Sequence, residues 1–396
     1  MNNNAKMPLP NSVKKAIDIL ENNDFEAYVV GGCVRDFVMG KMPHDFDMTT
    51  NATPAQMLNI FSGYTTIDAG VKHGTVAVMI DSEKIEITTY RIDGEYNDAR
   101  HPVSVVFSSN LRDDTLRRDF TVNAMAYSEK NGIVDFNGGL CDIENKIIRA
   151  VGEPEKRFEE DALRILRAVR FSSVLGFDIE GKTLLAAKKH AGLLKKISAE
   201  RICEELDKFL AGNNVGFLLD NFAEIFAVVL PEIYPLSQEK RKALDFEFEN
   251  LFVSYAMLLE GLQHNTVKKI CERLKFSNER KKRVLAILSV EKTPLSKLDV
   301  KLLLSLIGRE CFEDFLKFQK AHSIDVTRAE KFLSEIEEKD ECYSLKGLAV
   351  DGKDLISIGV TNGEKIGKSL AVLLDKVMRE ELENTKEALL SYLQQF

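Results

Sequence analysis

Along the first 150 residues, apolar positions fall in short β-branched runs. Ala27 to Val30, Thr75 to Ile80 and Lys84 to Thr89 have the apolar and β-branched content of strands, with turn-forming residues between them. From about Gly152 the pattern changes, and apolar residues recur at helical spacing to the carboxyl end with few long Gly- or Pro-rich breaks. The chain therefore predicts an α+β head followed by an all-helical remainder. No internal repeat and no low-complexity tract interrupts it.

The 396 residues suit two or three domains at roughly 150 residues each. A hydrophobic content of 44% with 29% charged residues is an ordinary globular balance and excludes a largely disordered or fibrous chain. No stretch approaches the ~18 consecutive apolar residues of a membrane helix, and Met1 to Pro10 lacks the apolar core of a secretion signal, so a cytoplasmic protein is expected. The six cysteines are scattered without a C-x-x-C pair, which points to reduced, mostly buried thiols rather than zinc. The formal charge, 54 minus 62 or −8, argues against uniform coating of a polyanion, so any nucleic-acid site must be regional. One candidate region exists. Between Thr266 and Leu285, Lys268, Lys269, Arg273, Lys275, Arg280, Lys281, Lys282 and Arg283 face only Glu272 and Glu279, a local +6 that fits either a solvated helix face or an RNA-backbone patch.

Tyr28-Val29-Val30-Gly31-Gly32-Cys33-Val34-Arg35-Asp36 reads as a strand, a glycine turn and a helix start, a geometry in which backbone N–H groups approach a phosphate. Such turns also occur without a ligand. Nine residues after Asp36 stands Asp45-Phe46-Asp47; in an extended segment both carboxylates project from one face, and their mutual repulsion favours a hard divalent cation such as magnesium. Glu86, within Ile85-Glu86-Ile87, offers a third acid on a neighbouring strand. Three acids beside a glycine turn suit two-metal nucleotidyl transfer, whereas a surface turn after Pro43 is the plain alternative. His44-Asp45 also spells the HD dipeptide of metal-dependent phosphohydrolases, but no adjacent helical histidine pair supports that class. In Arg117-Arg118-Asp119-Phe120-Thr121-Val122-Asn123-Ala124-Met125-Ala126, the arginines suit triphosphate oxygens and Asp119 a ribose hydroxyl, unless the segment is a helix cap with exposed ion pairs.

Glu160 to Val169 is strongly helical in composition. At ~100° per residue, Glu160, Asp161, Arg164 and Arg167 share one face. A carboxylate and a guanidinium three residues apart match the amino donor and ring acceptor of cytosine or adenine; guanine and uracil present the reverse polarity. An ordinary surface ion pair at the same spacing is the competing reading.

Taken together, Gly31-Gly32-x-Val34-Arg35-Asp36, Asp45-x-Asp47, Arg117-Arg118-Asp119-Phe120-Thr121 and Glu160-Asp161-x-x-Arg164 resemble the class II tRNA nucleotidyltransferases. Asp135-Phe136-Asn137-Gly138-Gly139 resembles that family's linker motif, and Ser198 to Leu210 its supporting helix. The resemblance implies a polymerase β-like nucleotidyltransferase head (1–150), a helical neck for base recognition (151–212), and a helical body (213–340) and tail (341–396) for tRNA binding. It implies addition of CCA to the 3′ end of tRNA without a nucleic-acid template, from CTP and ATP with Mg2+ in a two-metal mechanism. The expected tRNA contacts are the acceptor stem and elbow; no membrane and no protein partner is expected.

Carried over by motif, Asp45 and Asp47 bind metal, with Glu86 completing the catalytic acids. Gly31, Gly32, Arg35 and Arg118 hold the triphosphate, Asp119 meets the ribose, and Asp161 and Arg164 read the base, with Asn123 and Arg167 as further nucleotide-binding residues. Lys268, Lys269, Arg280, Lys281 and Lys282 are the RNA-binding candidates. CC-adding relatives lack a flexible segment that Arg91 to Arg112 resembles here, which leaves CCA and A-only addition open; bacterial poly(A) polymerases share the head. An RNA-binding module without turnover is the non-enzymatic alternative.

Overall fold

The computed structural model describes residues 6–43, 45–68, 70–94, 105–245 and 250–395. It divides into two units, Met1–Pro235 and Leu236–Phe396. The first opens with helix α1 (Asn11–Glu21), whose Val13, Ala16, Ile17 and Leu20 repeat at i, i+3, i+4 and i+7 and are all buried. There follow β1 (Ala27–Val30), α2 (Gly32–Val38), β2 (Asp47–Thr50), α3 (Pro54–Ile60), β3 (Thr65–Ile67), β4 (Thr75–Ile80) and β5 (Glu83–Thr89). Beyond them lie β6 (Arg91–Asp93), β7 (Val105–Phe107), α4 (Leu111–Leu116), β8 (Met125–Ser128), β9 (Gly132–Asp135) and α5 (Gly139–Glu144).

Seven strands form one mixed sheet in the order β3-β4-β5-β2-β1-β8-β9, while β6 and β7 make a separate ribbon. The three strands expected from the β-branched runs are all present. Both faces of the sheet are covered, which the continuous burial of β1 requires. Val29, Met48, Val76, Val78, Ile85 and Ile87 join one large core with α1 and Phe171, and Tyr28, Val30, Tyr90, Leu111 and Ala126 form a second. The register then places the chemistry. β1 runs antiparallel to β2 with Val30 opposite Asp47, and β2 runs parallel to β5 with Met48 opposite Ile87.

Helices complete the first unit: α6 (Pro154–Glu160), α7 (Leu163–Leu175), α8 (Gly181–His190), α9 (Ala199–Leu210), α10 (Val215–Asn221) and α11 (Ala223–Val229). The helix expected across Glu160 to Val169 is broken. α6 ends at Glu160, Asp161 is extended (φ −140°, ψ 102°), and α7 begins at Leu163. Asp161 accepts the Leu163 N–H at 3.0 Å, a local side-chain bond that competes with helical pairing and outweighs the propensity of its neighbours.

Among its described residues the second unit is helical throughout: α12 (Gln238–Leu244), α13 (Leu251–Leu259), α14 (His264–Arg273), α15 (Asn278–Leu288), α16 (Lys297–Ile307), α17 (Arg309–Ala321), α18 (Thr327–Glu338), α19 (Gly352–Ser357), α20 (Gly363–Met378) and α21 (Lys386–Leu393). Leu355, Leu373, Leu374 and Leu389 anchor a small core of their own near its end. No helix among the described residues is long and apolar enough to cross a membrane.

Candidate active site at the Gly31 turn

The turn between β1 and α2 depends on Gly31, whose φ of +82° lies in the region L-residues rarely adopt. A Cβ there would also stand 3.2 Å from Arg118 Nη1, so backbone and guanidinium share one small space. The Gly31 N–H is tied to the Met125 carbonyl at 3.3 Å, which fixes the turn to β8. Arg35, on α2, donates from Nε and Nη2 to Asp36 Oδ1 (2.9 and 2.8 Å) and from Nη1 to Asn123 Oδ1 (2.7 Å). Cys33 is no nucleophile here: burial, reinforced by Asp47, pushes its thiol up to about 12.

Asp47 opens β2 directly opposite Val30, one residue before the glycine turn. Its carboxyl is pushed up by the protein packed around it and by Glu86 and Asp45, while Arg118 opposes the shift. Glu86 on β5 and Asp45, just before β2, therefore share the electrostatic field of Asp47. Glu86 is also held by Lys84 at 2.6 Å, a pair exposed to solvent. Among the described residues no three His, Cys, Asp or Glu side chains form a ready-made metal cage. Magnesium characteristically takes one or two carboxylates plus substrate phosphates, a donor set that Asp45 and Asp47 suit without a third protein ligand. His44, and with it the HD dipeptide, lies outside the described residues, as does 95–104 of the segment expected to govern A addition.

The paired arginines are not exposed helix-cap partners. Arg117 donates to Asp114 Oδ1 from Nε (2.9 Å) and Nη2 (2.7 Å), and Arg118 Nη2 donates to Asp114 Oδ2 (3.1 Å). Asp114 is fully buried. Burial alone would raise its carboxyl; the two guanidinia hold it below the ordinary range instead.

Asp119 is the centre of a second network. Its Oδ1 accepts from the Phe120 N–H (2.8 Å) and Asn123 Nδ2 (3.2 Å), and its Oδ2 from Arg167 Nε (2.8 Å) and Nη2. Against the burial that would raise it, Arg167 chiefly holds Asp119 down to about 2. These four donors fill the acceptor sites of a carboxylate, so a ribose hydroxyl joins Asp119 only by displacing one of them. Arg167 also lies 3.7 Å from Glu205 on α9, which pairs with Arg170 at 3.3 Å. The Phe171 ring sits among three guanidinia, Arg170 at 3.9 Å, Arg35 at 5.3 Å and Arg167 at 5.4 Å from its centroid, and so joins α2 to α7 through cation–π contacts.

Asp161 and Arg164 do not pair with each other. Asp161, at the α6–α7 junction, accepts from Arg201 Nη2 of α9 at 2.8 Å. Arg164, 9% exposed, donates to Glu160 Oε2 (2.8 Å), the Arg157 carbonyl (3.1 Å) and the Arg117 carbonyl (2.8 Å). The ion pair weighed from spacing is present at i,i+4, between Glu160 and Arg164, but largely buried, and Asp161 is held from another direction by Arg201. The Arg117 carbonyl links this pair to the arginine segment.

In the second unit the basic run forms two helices joined by the turn after Arg273, not one face. Lys268, Lys269 and Lys282 are exposed. Lys281 is paired with Glu272 at 2.6 Å, and Arg280 lies 5.0 Å over the Phe276 ring.

Sequence reasoning gave no site role to Asp114 or Phe171, and placed Arg201 and Glu205 only within the supporting helix Ser198 to Leu210. Only Asp114 carried a local signal, an acid three and four residues before two arginines on a helical stretch. Phe171 lies on α7, four residues after Arg167, while Arg201 and Glu205 reach the site from α9.

Residues 27–149 match the family described as Poly A polymerase head domain, and residues 246–393 match tRNA nucleotidyltransferase domain 2. The CCA-adding enzyme of Lactococcus lactis subsp. cremoris (strain MG1363) is 37% identical over 97% of this chain and 96% of its own length. That of Ligilactobacillus salivarius (strain UCC118) is 37% identical over 96% of each chain. Among solved structures, the Bacillus stearothermophilus CCA-adding enzyme in complex with CTP superposes with a TM-score of 0.79 at 31% identity, covering 98% of both chains. The Thermotoga maritima CCA-adding enzyme complexed with tRNA shares the fold, with a TM-score of 0.65 at 21% identity and coverage of 98% and 97%.

Proposed function

We infer that this chain, which belongs to the family of CCA-adding enzymes, extends tRNA 3′ ends with CCA from CTP and ATP, without a nucleic-acid template, and releases pyrophosphate. The observation that carries the residue assignment is Arg118, which adjoins the Gly31 turn and acts on Asp47. Phosphate-binding backbone, cation and acid are thereby gathered at one end of the central strands β1 and β2.

Asp45 and Asp47 would hold Mg2+, which when bound supplies activation of the tRNA 3′ hydroxyl and charge neutralisation at the departing pyrophosphate. Glu86 supports their negative field from β5. The Gly31 and Gly32 backbone, Arg35 and Arg118 grip the triphosphate, and Asn123 with Asp119 holds Arg35 and Arg167 in place around it. At the α6–α7 junction Asp161 offers an acceptor and Arg164 a set of donors to the Watson–Crick edge of cytosine or adenine. Their separate tethers fix the distance between them, which is the condition for a protein side-chain pair to replace a template base. Bases of reversed polarity leave these groups unpaired at about 1 to 3 kcal/mol each.

We keep the division into head (1–150), neck (151–212), body (213–340) and tail (341–396) as part of this reading. Exposed Lys268, Lys269 and Lys282 serve as tRNA backbone contacts, with Arg280 and Lys281 contributing more weakly because each already packs against a neighbour. The cytoplasm is the compartment of action.

Purified protein given MgCl2, CTP, ATP and a tRNA ending at its discriminator nucleotide is expected to add three residues. Arrest after CC, addition of A alone, or long A tails would transfer the protein to a neighbouring specificity. D45N and D47N are each expected to abolish incorporation while CTP still binds; wild-type yield from either variant overturns the metal assignment.

A further inference from the structure

We propose that Asp114 is a positioning residue for nucleotide binding, setting the Arg118 guanidinium against the Gly31 turn so that it meets the triphosphate of whichever nucleotide enters. The proposal rests on the reading of Arg118 as a triphosphate contact.

Asp114 lies on the helix just after the β7 strand and is 0% exposed, so its charge is placed at substantial desolvation expense unless it is paired. Both of its oxygens are used, and each by a different arginine. Oδ1 takes the two bonds from Arg117, and Oδ2 takes the bond from Arg118 Nη2 at 3.1 Å. The rest of Arg118 is barely tethered. Its Nε is buried with no hydrogen-bond partner among the described residues, while Nη1 stands 3.2 Å from the space a Gly31 side chain would occupy. A guanidinium with one unsatisfied donor, Nε, and another, Nη1, beside a glycine turn is an arrangement a triphosphate oxygen would complete. Asp114 therefore fixes the orientation of a guanidinium whose Nη1 lies against the Gly31 turn, without itself adjoining that turn.

Base choice is joined to the Asp114 network through the Arg117 main-chain carbonyl and not through the Asp114 side chain. Arg164 and Asp161 are held by Glu160, Arg201 and main-chain carbonyls, none of which involves the Asp114 side chain. D114N keeps the volume and one carbonyl-type acceptor but removes the charge. It is expected to raise KM roughly tenfold for CTP and by the same factor for ATP, as loss of one charge-assisted contact does, with rejection of UTP unchanged. R118A measures the contact itself, and D114N placed in the R118A background is expected to have no further effect. D114E, which retains the charge, should recover part of the loss and carries the same comparison should D114N fail to fold in a melting scan. Unaltered KM in R118A overturns the Arg118 reading and the proposal with it. An R118A defect to which D114N adds its full effect overturns the role of Asp114 alone, and so does loss of UTP rejection in D114N, which would mark general distortion.

Discussion

Replacing Arg167 with alanine isolates the buried charge of Asp119. Asp119 keeps the Phe120 N–H and Asn123 Nδ2 as partners but loses both guanidinium bonds, and Glu205 loses its second cation. Stranding one partner of a buried pair typically costs about 3 to 5 kcal/mol. For a unit of this size that corresponds to a fall in Tm of roughly 10 °C. The direction with pH follows from the carboxyl. In the native protein Asp119 is held near 2, below its ordinary 3.8, so the pair contributes its stability above about pH 4 and loses it as pH falls toward 2. In R167A the same carboxyl is buried without a cation, so its pKa rises above the unfolded value and the variant regains stability on acidification. The gap between the two proteins is therefore widest at neutral pH and closes toward pH 3. Scanning calorimetry across pH 3 to 8 reads this directly, and D119N combined with R167A should recover much of the loss. A gap of constant size across that range, or a D119N loss simply added to that of R167A, refutes the buried-pair reasoning.

Removing the Arg164 side chain is expected to let UTP and GTP compete with CTP and ATP while metal binding persists; competition assays that show undiminished selection would end its base-reading role. Charge reversal at Lys268, Lys269 and Lys282 together is expected to weaken tRNA affinity and flatten its dependence on salt, since fewer counterions are released. An unchanged slope of log affinity against log salt would assign these lysines to solvent. Reversal at Lys281 is the poorer probe, because it also breaks the Glu272 pair.

The strands of the head were legible because β-branched runs bounded by turns have few competing interpretations, and β1, β4 and β5 fall where those runs lie. The Gly31 turn and the acid of β2 were legible for a related reason: the chemistry of both is local. What stayed hidden was decided by distance along the chain. Arg201 reaches Asp161 across 40 positions and Glu205 reaches Arg167 across 38, and no periodicity reports such a meeting. The break at Asp161 was hidden differently. Leucine, arginine and alanine around it favour a helix, and one aspartate bonding its own backbone two residues on reverses that preference. Asp114 was within reach, three and four residues before the paired arginines, but only its complete burial shows that the spacing is more than an exposed ion pair.

Two of the three groups that grip Arg164 are peptide oxygens, those of residues 117 and 157. Every amino acid supplies such an oxygen, so the grip is indifferent to which side chains occupy those positions as long as the chain follows the same path. If Arg164 reads the base as proposed, specificity is lodged in the backbone trace, and drift at the surface of the two helices would leave the choice of nucleotide intact.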